Sequence, residues 1–122
     1  MSAKNKKIVK KILEMFTGNN HVTYLDYLAD DIKWNIVGMP LIHGKDEFIK
    51  AVKSLELENF SSSKIKNIIS DREFVVVEST GQASVRTEYS NGPAYCDIYR
   101  IEDGKICELT TYIIDTTSNN EY

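Results

Sequence analysis

The sequence predicts an α+β fold: a curved antiparallel sheet with three helices, all from the N-terminal half, packed on one of its faces. Three observations carry that prediction. Apolar residues recur at helical spacing in the first half of the chain. The second half is a series of β-rich runs, of which Phe74 to about Tyr89, Ala94 to Glu102 and Lys105 to Asp115 read as a meander. Between the last two runs stands Asp103-Gly104, a dipeptide that accepts positive φ at low cost and closes a β-hairpin.

Composition sets the frame for these elements. A chain of 122 residues with 42% apolar and 27% charged residues is expected to form a single domain over 1–122, with a core of its own. A formal charge of −3 speaks against nucleic acid as the main partner, because phosphate binding needs clustered Lys and Arg. Only the N-terminus is basic, with Lys4, Lys6, Lys7, Lys10 and Lys11, and no unbroken apolar run follows it as in a signal peptide. No segment reaches membrane-spanning length, so the expected location is the cytoplasm, with no membrane partner. With a bulge in the hairpin turn, Cys96 and Cys107 fall on opposite faces, and both are expected to stay reduced. With two His and no Cys-x-x-Cys or His-x-x-x-His spacing, neither a metal nor a cofactor is expected.

Taken in order, Ile8, Val9, Ile12, Leu13 and Phe16 form one face of a first helix, from about Lys4 to Thr17, with lysines opposite and Gly18 as its C-cap. Asn19-Asn20 caps a short second helix whose buried edge is Val22, Leu25 and Leu28, with Asp30-Asp31 as its exit. Ile32 to Val37 alternates as a half-buried strand, with Trp34 facing inward. Gly38 and Pro40 break it, and His43 stands in the loop that follows. Its ordinary pKa near neutrality makes a general acid or base role available, beside the plainer reading of a loop histidine. A third helix begins at Lys45, with Asp46 and Glu47 in its first turn and Phe48, Ile49, Val52 and Leu55 as its buried stripe. Ser61 to Ser63 connect it to a strand over Lys64 to Ser70, with Ile65 and Ile69 on one side. Gly81 marks a bend in the long run from Phe74, Ser90 to Pro93 a turn, and the residues after Asp115 a polar tail.

The hairpin holds the residue of greatest chemical interest. Asp97 lies between Tyr95 and Tyr99 at strand spacing, and a carboxylate there must be hydrogen-bonded, be paired with a charge, or take up a proton if it is buried. Two registers are open. A bulged turn at Gly104 sets Asp97 across from Leu109, on one face with Tyr95, Tyr99, Thr111 and Ile113. A strict two-residue turn sets it opposite Thr110, beside Glu108 and Tyr112. The bulged form is preferred because it leaves Arg100 and Glu108 to pair on the outer face.

The order of elements, Tyr27-Leu28-Ala29-Asp30-Asp31 ahead of a strand, Gly44-Lys45-Asp46 opening a helix, and Asp103-Gly104-Lys105-Ile106 at the last turn together resemble the nuclear-transport-factor-2-like superfamily. More narrowly the chain resembles the SnoaL-like branch, whose relatives include polyketide cyclases, ketosteroid isomerases and limonene epoxide hydrolase. The resemblance covers nearly the whole chain. It implies a conical pocket between sheet and helices, and a homodimer packed through the convex sheet face.

Carried over singly, Asp97 matches the protonated Asp of ketosteroid isomerase, whereas the base position falls on Asn35 or Ile36 and the Tyr position on Lys11 or Ile12. The Asp, Arg, Asp set of the epoxide hydrolase falls on Gly81, Ser79 and Thr111, which cannot activate water in that way. The single acid of a polyketide cyclase is available in Asp97 or His43. The resemblance therefore implies a binder of a small apolar or aromatic molecule, with Trp34, Asn35, Tyr95, Tyr99, Leu109 and Thr111 lining the pocket and Asp97 as its anchor. Catalysis, through Asp97 and His43, would be isomerisation or cyclisation next to a carbonyl without the usual carboxylate base. The alternative is a non-catalytic homodimeric module with a vestigial pocket, whose partner surface carries Ile98, Thr110 and Tyr112.

Overall fold

A computed structural model describes residues 2–17, 23–54, 64–80 and 94–114. The elements are α1 (Ser2–Thr17), a 3-10 turn (Thr23–Tyr27), β1 (Leu28–Ile36), β2 (Ile42–His43), α2 (Lys45–Ser54), β3 (Lys64–Asp71), β4 (Phe74–Thr80), β5 (Ala94–Glu102) and β6 (Lys105–Ile114). The strands form one six-stranded sheet in the order β2-β1-β6-β5-β4-β3. The expected caps at Gly18 and Asn19-Asn20, the connector 61–63, the bend at Gly81, the turn 90–93 and the tail lie outside the described residues.

Two architectural expectations need correction. The second helix is a single 3-10 turn, so the described residues hold two α-helices, not three. Leu28 carries helical spacing from Leu25, but its backbone pairs with Ile106 of β6, and strand pairing overrides a weak local helical pattern. The sheet is also not wholly antiparallel: β1 runs parallel to β6, with Trp34 opposite Leu109 and Ile36 opposite Thr111. A parallel pair needs a long crossover, which the chain between β1 and β6 supplies.

Register shifts between Leu28 and Lys33, between Ile65 and Asn67, and between Arg100 and Ile101 bend the sheet. The shift in β3 corrects another expectation. Ile65 pairs with Ser79 and Ile69 with Val76, so the two isoleucines sit on opposite faces; both are exposed, and Ile68 packs on the core instead.

Against the inner face pack α1, through Val9 and Ile12, and α2, through Phe48 and Val52, onto Ile32, Trp34, Ile36, Val75, Val77, Tyr99, Ile101, Ile106 and Leu109. Lys4, Lys7, Lys10 and Lys11 are exposed, the solvated face expected of α1. Gly44 opens α2: its φ of +91° suits glycine, its carbonyl accepts from Phe48 N–H at 3.0 Å, and Glu47 Oε1 accepts from the His43 N–H at 2.9 Å. On the outer face Arg100 meets Glu102 at 3.0 Å, Glu108 at 3.6 Å and Glu73 at 3.7 Å, so the expected Arg100–Glu108 pair is present. No helix among the described residues is long and apolar enough to cross a membrane.

Candidate functional site

The hairpin register decides what surrounds Asp97. Asp103 and Gly104 form a two-residue turn with φ of +53° and +76°, and Glu102 pairs with Lys105. The extra residue enters on β6 at Cys107, beyond the Ile101–Ile106 pair, so that Arg100 pairs with Glu108 and Asp97 with Thr111. The bulge therefore exists but not at the turn, and Asp97 lies across from Thr111 rather than Leu109. Because one extra residue reverses which side chains face inward, the displaced bulge still puts Tyr95, Asp97, Tyr99, Thr111 and Ile113 on the inner face.

Continuing across neighbouring strands, register builds three rows on that face. Val75, Tyr99, Leu109 and Trp34 form the deepest, all buried. Val77, Asp97, Thr111 and Ile36 form the next, in which only Asp97 is ionisable. Ser79, Tyr95 and Ile113 form the outermost. Trp34, Tyr99 and Leu109 are thus core residues beneath the acid, and Tyr95 is a half-buried neighbour beside it.

Three side chains join into a hydrogen-bonded line. The Trp34 indole N–H donates to Thr111 Oγ1 at 2.9 Å, and the Thr111 hydroxyl donates to Asp97 Oδ1 at 2.6 Å. Trp34 is only 3% exposed, and its ring lies against Phe48 with centroids 4.6 Å apart and planes tilted by 32°. Phe48 had no functional reading in the sequence, since a helical apolar stripe reads only as core.

Burial among these groups raises the Asp97 pKa to about 6, while the Thr111 hydrogen bond pulls it down. The Asp97 charge acts in turn on its neighbours: burial first, then that charge, pushes the Tyr95 and Cys96 pKa values up and holds Tyr99 well above the ordinary tyrosine range.

Two expected site residues are not brought to Asp97. Asn35 is exposed and pairs with Thr110, which puts it on the outer face, opposite Trp34. His43 belongs to β2 rather than a loop and pairs with Lys33, also on the outer face. Three strand spacings separate β2 from β5, about 14 Å, so His43 cannot exchange a proton directly with Asp97.

Of the two candidates for the ketosteroid isomerase base, Asn35 faces outward, and Ile36 shares the acid's row and is 3% exposed. Of the two candidates for its tyrosine, Lys11 is exposed and Ile12 is a core residue. The described residues hold no group of three or more His, Cys, Asp or Glu able to bind a metal, and both cysteines are free.

Comparison with known proteins agrees with this architecture. A 23% identical NTF2-like protein of unknown function from Cytophaga hutchinsonii superposes with a TM-score of 0.68 over 89% of this chain and 98% of its own. An LEH-like epoxide hydrolase from M. tuberculosis, 21% identical, gives 0.67 over 94% and 87%. A de novo designed protein with a curved β-sheet, 15% identical, gives 0.77 over 94% and 88%, a likeness of fold alone. No curated protein matches the chain. These structures share the NTF2-like fold with this chain; the SnoaL-like domain matches residues 9–109, and the chain therefore belongs to the SnoaL-like family.

Proposed function

We propose that this protein binds a small apolar or aromatic molecule in a conical pocket between the inner sheet face and the helices, with Asp97 as the polar anchor. The observation that carries the reading is the Trp34–Thr111–Asp97 line: an acid held on an apolar, aromatic face by one dedicated donor. A carboxyl group with a pKa of about 6 is about nine-tenths ionised at pH 7. It is therefore a group that exchanges its proton near neutrality, not the permanently protonated donor of ketosteroid isomerase.

The chemistry open to it is proton transfer next to a carbonyl, isomerisation or cyclisation, run by this single group. With Asn35 or Ile36 at the base position, efficient steroid isomerisation is not expected: each lost catalytic group costs on the order of 3 kcal/mol of barrier lowering. A thermal-shift panel of small phenols, aromatic alcohols and cyclic enones tests the reading. At least one compound is expected to raise the melting temperature of the native protein and not that of Asp97→Asn. Equal shifts in both proteins, or none in either, overturn it.

A second reading is favoured by the outer face, which leaves Ile69 61%, Tyr112 43% and Ile114 60% exposed. A hollow of about 310 Å³ opens at this edge, lined by Ile69, Val76, Glu78, Cys96 and Ile114 and reaching Ser79 and Tyr95. Apolar exposure of this kind fits a homodimer packed through this face. Sedimentation of Tyr112→Lys against the native protein tests it: a dimer that becomes monomeric supports the reading, and an unchanged sedimentation coefficient contradicts it.

A further inference from the structure

We infer that Trp34 and Thr111 are positioning residues that fix which oxygen of Asp97 carries the exchangeable proton: Oδ1 accepts in both charge states, and Oδ2 takes the proton and meets the ligand. The inference deepens the proposed function, and its last clause rests on that reading.

An indole N–H can only donate. The 2.9 Å bond from Trp34 therefore occupies a lone pair of Thr111 Oγ1 and leaves the hydroxyl proton to be given elsewhere. Its acceptor is Asp97 Oδ1, at the 2.6 Å of a charge-assisted O–H···O⁻ bond. When the acid takes up a proton, placing it on Oδ1 would force the Thr111 hydroxyl to find a new acceptor. Placing it on Oδ2 leaves both bonds of the Trp34–Thr111–Asp97 line intact.

The upstream end of the line is rigid, because Trp34 is buried, stacked on Phe48, and cannot swing away without opening the core. Around the acid, Tyr95 and Tyr99 on the same strand face, and Cys96 beside them, are neutral when Asp97 titrates. Val77 on β4 and Thr111 on β6, which pair with Asp97 from either side, do not titrate. Among the described residues, burial and the Thr111 bond are what act on its proton. Thr111 thus sets both the position of the proton and the ease of losing it.

The test uses ¹³C-aspartate-labelled protein without ligand. Infrared difference spectra against Asp97→Asn at pH 5 isolate the C=O stretch of the protonated acid, and NMR gives its titration midpoint. Thr111→Val is expected to move the C=O stretch up, since the carbonyl oxygen loses its donor, and to raise the midpoint by roughly one unit. Thr111→Ser should restore both native values. Trp34→Phe, which keeps a ring against Phe48 and removes the N–H, should place both readings between those of the native protein and Thr111→Val.

Native values in Thr111→Val overturn the inference, because the proton then sits on Oδ1 or the bond is idle. Native values in Trp34→Phe overturn the role of Trp34. Should Thr111→Val not fold, Trp34→Phe measured against Thr111→Ser decides alone by the same criterion. None of these readings needs a ligand, so their failure leaves the binding proposal standing, and a failed compound panel leaves the proton assignment standing.

Discussion

Ile36 and Asp97 lie in one row across the inner sheet face, with only Thr111 between them, about 10 Å apart by strand spacing. A hydrocarbon side chain therefore stands two strands from the acid on the same face. Ile36→Asp should put a second carboxylate into a position only 3% exposed. The expected cost is roughly 3 kcal/mol of stability or more, with the Asp97 titration midpoint raised by like-charge repulsion. Urea unfolding followed by fluorescence of Trp34, the only tryptophan, measures the first effect and NMR titration the second.

The raised pKa of Asp97 makes stability depend on pH. Its folded value of about 6 exceeds the ordinary 3.8, so between those limits the folded state binds more protons than the unfolded one. The contribution is fully present below pH 3.8 and is lost as pH rises through 6. The loss amounts to at most about 3 kcal/mol, less whatever solvent reaches the half-buried group. Asp97→Asn should accordingly be more stable than the native protein at pH 8 and close to it at pH 4. Equal unfolding free energies at pH 8 would contradict this.

Phe48→Ala removes the ring stacked on Trp34 and leaves a cavity beneath the relay. A loss of about 3–5 kcal/mol is expected, comparable with other large-to-small changes at buried aromatics, together with a red-shifted tryptophan emission. A cost below about 1 kcal/mol would show that α2 contributes little to holding the indole.

Gly104 has a φ of +76° with open space where a Cβ would stand, so Gly104→Ala strains the backbone without a clash. The expected cost is about 1 kcal/mol, seen as a lower urea midpoint with an unchanged denaturant slope. A substantially larger loss would mean that the turn also sets the register of Asp97.

Much of this molecule is legible in the letters, for reasons that can be named. Alternation puts Ile32, Trp34 and Ile36 in the core, and Asp103-Gly104 closes the hairpin, because both signals are local. The parallel pairing of β1 with β6 is not local: nothing in residues 28–36 says which distant strand they will meet. The face of Asp97 follows from the preference for a bulge, but the bulge sits at Cys107, whose side chain gives no sign of it. Because the extra residue lies on β6 rather than in the turn, the cross-strand partner of Asp97 moves by two residues, from Leu109 to Thr111, which creates the relay. Asn35 and His43 were drawn toward the site by sequence position, and strand parity sends both to the other face.

The central claim is that Asp97 exchanges its proton near neutrality because it is set in an apolar face with a single donor. The most direct measurement is the ¹³C NMR titration of its carboxyl group in the native protein. A midpoint near 6 is predicted, with the Tyr95 resonances following the same transition. A midpoint near 3.8 would mean that the group is solvated like any surface carboxylate, and would contradict the account.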